Sequence, residues 1–189
     1  LNTPIIMTCT TKFGLSLLNS CPKKCPFRYD LVWCKSATAG FLCARKMPMR
    51  KHEMIYVFYE KLPFYDLSSH KHKFIKEDCP ELETETYKGI YTELPKTGKS
   101  KEAHSTQYDP ALPTSLLEIK STRGKHSTEK PVNLMKWILK YYSKEGDTVF
   151  DPTMGSGSMG VACKEMNRNF IGIEQDPEIY EVAVNRIQD

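Results

Sequence analysis

The sequence lacks the marks of a secreted, membrane-spanning or disulfide-stabilised protein. It contains no run of about 18 apolar residues, and its N-terminal stretch Leu1–Thr10 has no charged region of the kind that opens a signal peptide. Its seven cysteines are odd in number and scattered. Cys9, Cys34, Cys43 and Cys163 lie in apolar segments, a pattern that indicates buried reduced thiols. We therefore expect a cytoplasmic protein that has no membrane partner.

Two familiar kinds of site are also missing. No G-x-x-x-x-G-K-[ST] pattern occurs, so a nucleoside triphosphatase is not supported. Cys21 and Cys25, with His70 and His72, lack the spacing of a second convincing ligand pair. We predict that the protein holds no metal.

Length and charge limit the number of domains and the class of binding partner. A chain of 189 residues can bury a real core as one domain, with room for an inserted module. Its net charge of +4 and pI of about 8.6 are only mildly basic. Such a charge permits a nucleic-acid partner without requiring one.

The stretch from Asp147 to Asp176 is predicted to form a strand, a turn, a helix and a second strand, in that order. An apolar strand, Thr148–Phe150, leads into a turn of small residues at 155–158, and a helix over 159–166 follows. A second short strand over Phe170–Ile173 ends at Glu174. The pattern predicts a β-α-β unit with a ligand site at its carboxyl edge.

The chemistry of that edge follows from its residues. Gly155, Gly157 and Gly160 match G-x-G-x-x-G, which lets backbone N–H groups and a helix N-terminus approach a ligand. A carboxylate about 20 residues further on, here Glu174, can accept both hydroxyls of a ribose. We predict a nucleoside-containing cofactor. A glycine turn that merely packs the helix on the strand is the alternative.

The remaining periodic segments complete an α/β pattern. Strand patterns occur over Pro4–Thr10, Phe27–Lys35 and Glu53–Tyr59, of which the last two can pair antiparallel. Helical patterns occur over Lys12–Asn19 and from Lys130 to about Ser143.

Two segments carry charge without an obvious core. The connection 36–52 contains Arg45, Lys46, Arg50 and Lys51 and no acidic residue. A solvated loop and a phosphate-binding patch explain these cations equally well. The segment 61–125 is loop-rich. Its interleaved tyrosines and lysines suit nucleic-acid contact, and a mobile solvated loop explains them nearly as well.

Several motifs together resemble one family, the amino-methylating DNA methyltransferases, which act on adenine N6 or cytosine N4. FDPTMGSGS at 150–158, FIGIEQD at 170–176 and HSTEKP at 126–131 are similar to its motifs I, II and X. The segment 33–59 is similar to the part that precedes target recognition in the permuted β group. The resemblance spans about Pro4 to Ile187.

The chain departs from the family pattern in three places. It has Ser127 where the family usually has proline and Thr153 where phenylalanine is frequent, changes that are compatible with cofactor binding. The catalytic tetrapeptide, Asp, Asn or Ser before Pro-Pro and an aromatic residue, occurs nowhere in the sequence. We expect it upstream of Leu1, which is not an initiator residue, so the catalytic residues are unknown.

The resemblance implies a fold and a division of the chain. The implied fold is a three-layer α/β sandwich of the Rossmann-like S-adenosylmethionine-dependent methyltransferase type. It is circularly permuted, with a mainly parallel sheet and one antiparallel hairpin. Residues 1–60 would supply catalytic-half strands and the hairpin, 61–125 a target-recognition insertion, and 126–189 the cofactor-binding half.

The resemblance also implies methyl transfer from S-adenosylmethionine to an exocyclic amine of double-stranded DNA, with adenine favoured over cytosine. A homodimer is one open state, since dimers are common in the resembled group. The cofactor-binding residues implied are Asp151, Pro152, Thr153, Met154, Gly155, Ser156, Gly157, Glu174, Gln175, Asp176, Thr128 and Lys130. The expected DNA-binding residues are Arg45, Lys46, Arg50 and Lys51.

Two other functions are also compatible with the sequence. A nicotinamide-dependent oxidoreductase could use the same glycine turn, but its turn normally comes early in the chain. A DNA-binding protein could also retain the cofactor fold without catalysis.

Overall fold

The computed structural model describes residues 2–73, 108–122 and 129–189. The chain divides into two compact units, one formed by Leu1–Asp66 with Thr114–Asp189 and the other by Leu67–Pro113. The predicted division at residues 60 and 125 stays a prediction. Within the second unit, the short strands β4 (Lys71–His72) and β5 (Tyr108–Asp109) pair antiparallel.

The first unit contains the elements that build the candidate site. Its strands outside the β-α-β unit are β1 (Ile5–Cys9), β2 (Phe27–Ala39), β3 (Arg50–Phe58) and β6 (Leu116–Glu118). Its first two helices are α1 (Thr11–Ser20) and α2 (Val132–Tyr142). The predicted segments correspond to these elements, although β2 and β3 extend further into their connection than the sequence indicates.

The central sheet has the order β1-β3-β2-β6. β3 pairs antiparallel with both β1 and β2, whereas β6 pairs parallel with β2. The antiparallel hairpin β2–β3 is confirmed, but this sheet is mixed rather than mainly parallel. β6 lies inside the loop-rich segment, where three residues, LLE, were too short for a periodic pattern to reveal.

The predicted β-α-β unit is present at the C-terminal end. β7 (Thr148–Asp151) and β8 (Asn169–Gly172) pair parallel, with Asp151 opposite Gly172. Helix α3 (Ser158–Glu165) connects them. The carboxyl ends of both strands therefore meet at one edge, where the glycine turn and Glu174 follow.

Helices cover both faces of the central sheet. On one face Ile55 and Trp33 pack in a core with α2, whose buried residues include Leu134 and Ile138. On the other face Tyr56 packs near Cys9 and α1. Because successive strand residues point to opposite faces, β3 contributes to both cores, and the arrangement has three layers.

Two features differ from the sequence analysis. Helix α4 (Pro177–Gln188) follows β8, where no element was predicted, with Asp176 as its N-cap and Pro177 in its first turn. Cys9 and Cys163 are buried as predicted, but Cys43 is exposed because its apolar segment is a hairpin tip rather than part of a core. Within the described ranges, no helix is long and apolar enough to span a membrane.

Candidate functional site

The glycine turn adopts a conformation that requires glycine at two positions. Gly155 has φ 52° and Gly157 has φ 77°, both in the left-handed region that other residues rarely adopt. A Cβ at Gly155 would meet nothing within 4 Å, so this side of the turn is open. The Gly157 N–H donates to Met154 O at 2.9 Å, and the Met154 N–H donates to Ile173 O at 2.9 Å. The turn is thus held against the end of β8.

The Glu174 carboxylate lies against this turn. Its Oε2 accepts from the Gly155 N–H at 2.9 Å, and its Oε1 accepts from the N–H groups of Gln175 and Asp176 at 2.9 and 3.1 Å. These bonds fix the side chain at the carboxyl edge of the two parallel strands. Since a carboxylate offers about four acceptor positions, a further donor can still be accepted on Oε2.

Asp151 supplies a second carboxylate at the same edge. It is partly buried at the end of β7, and its Oδ1 accepts from the Thr153 N–H at 3.0 Å. Burial raises the pKa of its carboxyl, and the negative charge of Glu174 raises this pKa further, although the bonds from Thr153 oppose the change. The edge therefore favours a cationic ligand group, which would relieve the repulsion between the two carboxylates.

Arg186 of α4 connects the turn to the segment that precedes α2. Its Nη1 donates to the carbonyl and Oγ of Ser156 at 3.1 and 3.0 Å and to Ser158 Oγ at 3.3 Å. Its Nη2 lies 3.0 Å from Glu129 Oε1, and the Glu129 side chain is only 8% exposed. A single guanidinium thus neutralises a buried carboxylate and fixes the rear of the glycine turn.

The adjacent residue, Lys130, is fixed from the other direction. Its Nζ lies 2.9 Å from Glu53 Oε1 on β3, and Lys35 Nζ on β2 lies 2.7 Å from Glu53 Oε2. Burial alone would raise the pKa of the Glu53 carboxyl, but the bonds from both lysines outweigh burial and hold it below its usual value. Glu129 and Lys130 therefore link the glycine turn to the central sheet through two ion pairs.

Close packing explains the third glycine of the fingerprint. A Cβ on Gly160 would lie 2.3 Å from Ile187 Cδ1 and 2.8 Å from Phe170 Cε1. Helix α3 can approach α4 and β8 only because this position has no side chain.

The structure brings most of the predicted cofactor residues together. Those from Asp151 to Gly157 and from Glu174 to Asp176 surround the carboxyl edge of β7 and β8, with Pro152 and Thr153 exposed. Asp176 caps α4 by accepting from the N–H groups of Glu178 and Ile179. Lys130 is paired with Glu53. Thr128 lies outside the described residues, as do His126 and Ser127.

Three site residues were missed by sequence reasoning. Glu129 lies within the predicted HSTEKP segment, where its position between two recognised residues was a usable signal. Glu53 and Arg186 had no such signal, because each reaches its partner from a separate element.

The predicted DNA-binding cations lie on the β2–β3 hairpin. Every residue from 36 to 52 is exposed, so this part of the hairpin projects from the core. Arg50 and Lys51 belong to β3 rather than to a loop, whereas Arg45 and Lys46 follow a short 3₁₀ turn at Phe41–Cys43. The tyrosines and lysines of the insertion between residues 74 and 107 lie outside the described residues.

The carboxyl edge of β7 and β8 has the chemistry to bind a nucleoside that carries a cationic group. The backbone at Gly155 is open, the Glu174 carboxylate can accept a hydrogen bond from a hydroxyl, and the Asp151 carboxylate can face a cation. The exposed cations of the β2–β3 hairpin can bind a polyanion.

Comparison with known proteins agrees with this geometry. The family model for N6/N4 DNA methylases matches residues 10–185. The type II methyltransferase M.HindIII of Haemophilus influenzae is 43% identical over 77 residues, which are 39% of this chain and 25% of that protein. M.HinfI, also of Haemophilus influenzae, is 31% identical over 113 residues, or 59% of this chain and 31% of that protein. The chain thus spans about a quarter to a third of the length of these relatives.

Solved structures share the fold. The M1.HpyAVI–SAM complex has a TM-score of 0.64 and 22% identity, covering 100% of this chain and 76% of that one. PvuII DNA methyltransferase, which is cytosine-N4-specific, has a TM-score of 0.61 and 14% identity, covering 94% of this chain and 56% of that one. The Rossmann-like methyltransferase fold is therefore confirmed. Because the family match covers nearly all of the sequence, this chain belongs to the N6/N4 DNA methylase family.

Proposed function

We propose that the protein containing this chain methylates an exocyclic amine in double-stranded DNA with S-adenosylmethionine as methyl donor. The observation that carries the proposal is the carboxyl edge of β7 and β8, where an open glycine turn adjoins two carboxylates, Asp151 and Glu174. Membership of the N6/N4 DNA methylase family supports the same activity.

The residues present fit this cofactor chemically. S-adenosylmethionine carries a ribose diol, an ammonium group and a sulfonium. Glu174 Oε2 would accept from the ribose, while Asp151 and the turn Gly155–Gly157 would hold the methionine half. When bound, the cofactor supplies an activated methyl group. Two carboxylates beside the turn suit these cations better than the pyrophosphate of a dinucleotide, which argues against the oxidoreductase alternative.

Calorimetric titration tests the cofactor assignment. We expect the chain to bind S-adenosylhomocysteine and S-adenosylmethionine and to show no heat of binding with NAD. If the chain instead binds NAD and neither S-adenosyl compound, the result would support the nicotinamide-dependent oxidoreductase and contradict the methyltransferase proposal.

The proposal extends to the base that is methylated. We propose adenine N6, since this is the commoner target in the resembled family, and cytosine N4 is the second candidate. Digestion of treated DNA to nucleosides, followed by mass spectrometry, distinguishes the two products. N4-methylcytosine as the only product contradicts the choice of adenine.

The target base must leave the duplex before methyl transfer, at a cost of a few kcal/mol.

The DNA itself is proposed to bind along the hairpin cations Arg45, Lys46, Arg50 and Lys51. These four are exposed and have no acidic neighbour in the connection. Replacing all four with alanine should weaken binding to every duplex sequence alike and reduce the salt slope, by roughly one unit for each phosphate contact that is lost. An unchanged slope would mean that the cations are only solvated. We also propose a role in restriction-modification, which the names of the type II methyltransferase relatives support. A homodimer stays an open alternative.

A further inference from the structure

The tip of the β2–β3 hairpin exposes large apolar side chains that no core contact explains. Leu42 is 98% exposed and Phe41 is 81% exposed, and Met47 and Met49 nearby are 59% and 40% exposed. Scattered apolar residues on a surface are ordinary, but a cluster of this kind at one projecting tip marks an interaction site.

The backbone of the tip is well defined. Cys43 N–H donates to Gly40 O at 2.9 Å, Ala44 N–H donates to Phe41 O at 3.0 Å, and the Lys46 and Met47 N–H groups both donate to Cys43 O, at 2.8 and 3.0 Å. Gly40 has φ 92°, which directs the chain into this turn. The tip is thus an ordered turn whose apolar side chains are presented in a fixed place.

Charge identifies the partner that this tip suits. Cations stand on its C-terminal side at Arg45, Lys46, Arg50 and Lys51, and the sequence from 36 to 52 contains no acidic residue. Binding to a membrane surface would require an extended apolar face. Binding to a second copy of the chain would require an acidic patch that faces the cations. A cationic two-stranded ribbon with an apolar tip matches a DNA groove, which admits such a ribbon and presents phosphates along both sides.

We propose that Phe41 and Leu42 insert between base steps of double-stranded DNA while the hairpin cations contact the phosphates. Proteins that bind the minor groove insert phenylalanine and leucine in this way, and a wedge at the hairpin tip would likewise unstack a step and bend the duplex by roughly 20–90°. Partial unstacking would lower the cost of extruding the target base. This inference rests on the proposed DNA methyltransferase function and adds a role for residues that the function does not use.

The test compares variants of the chain on a duplex labelled with a donor and an acceptor dye at its two ends. Binding of the unmodified chain should raise energy transfer, because the ends approach when the duplex bends. The double variant Phe41→Ala, Leu42→Ala should lose this signal at saturating protein and bind roughly tenfold more weakly, with an unchanged salt slope. The double variant Phe41→Leu, Leu42→Met keeps an apolar tip and should retain the bend.

A charge variant completes the design. Arg45→Ala with Lys46→Ala should keep the bend at saturation but reduce the salt slope by roughly two units. An equal bend from the unmodified chain and the alanine-tip variant, or none from either, overturns the insertion while DNA binding stands. If the protein that contains this chain binds no duplex at all, both proposals are overturned. If the alanine tip instead abolishes self-association, measured by light scattering, the tip is a contact between copies and the insertion is wrong.

Discussion

The glycine turn and the hairpin tip are built in opposite ways. At the turn, Glu174 and Arg186 each bond to several groups, and Met154, Ser156 and Ser158 are buried. At the tip every residue from 36 to 52 is exposed and its described hydrogen bonds are mainly local backbone bonds. A small cofactor requires preorganised atoms, whereas a long polyanion can be held by many weak exposed contacts. Substitutions at the turn should therefore affect stability and cofactor binding together, while those at the tip should affect only DNA binding.

Removing Arg186 should have the largest effect on stability. In Arg186→Ala the Glu129 carboxylate loses its cation while it remains buried, and a buried charge left without a partner costs about 3 kcal/mol. Thermal or urea unfolding measures the change. Lys136→Ala is the matched control, because its ion pair with Glu165 is exposed and should contribute less than about 1 kcal/mol. Equal losses in the two variants would show that the Arg186 contacts are incidental.

Removing the Glu174 carboxylate should have the next largest effect, on cofactor affinity. Hydrogen bonds to a charged group are worth about 1.5–3 kcal/mol, so Glu174→Ala should weaken S-adenosylhomocysteine binding by roughly 10- to 150-fold. Glu174→Gln retains an oxygen that can accept from the Gly155 N–H and should lose less. Calorimetry measures both, with the exposed Glu181→Ala as control. Unchanged affinity in Glu174→Ala would falsify the ribose assignment.

Acid should weaken the contact between the sheet and Lys130. The folded pKa of Glu53 is lowered, so its contribution to stability is present above its unfolded pKa of about 4.3 and is lost as pH falls through the folded value. Glu53→Gln should therefore be less stable than the unmodified chain at neutral pH, by about 1 kcal/mol or more. The difference should shrink below about pH 4. Melting curves from pH 3 to 7 test this, and a difference independent of pH would exclude the ionised carboxylate as its source.

The smallest effect on stability is expected at the hairpin tip. Because Phe41 and Leu42 are almost fully exposed, their joint replacement by alanine should change the free energy of unfolding by no more than about 0.5 kcal/mol. Urea unfolding measures this, and Tyr56→Ala on β3, which is buried, provides the contrasting case. A loss at the tip comparable to that of Tyr56→Ala would show that the tip packs against the body and would remove the contrast between the two regions.

Local sequence determined the β-α-β unit almost completely. A β-branched run, glycines at positions with positive φ, and a carboxylate after the second strand are all short-range signals, and they place Asp151, Gly155 and Glu174 at one edge. The antiparallel β2–β3 hairpin followed from the strand patterns in the same way.

Only the tertiary structure decided which distant residues complete the site. Arg186 reaches Ser156 and Glu129 from a helix that the sequence analysis did not assign, and Glu53 reaches Lys130 from a strand far away in the chain. Ion pairs between separate elements have no periodic or spacing signature, because their partners become neighbours only when helices pack on the sheet. For the same physical reason, Cys43 was predicted to be buried from its apolar neighbours, and its exposure, like that of Phe41 and Leu42, became evident only when the hairpin was seen to project from the core.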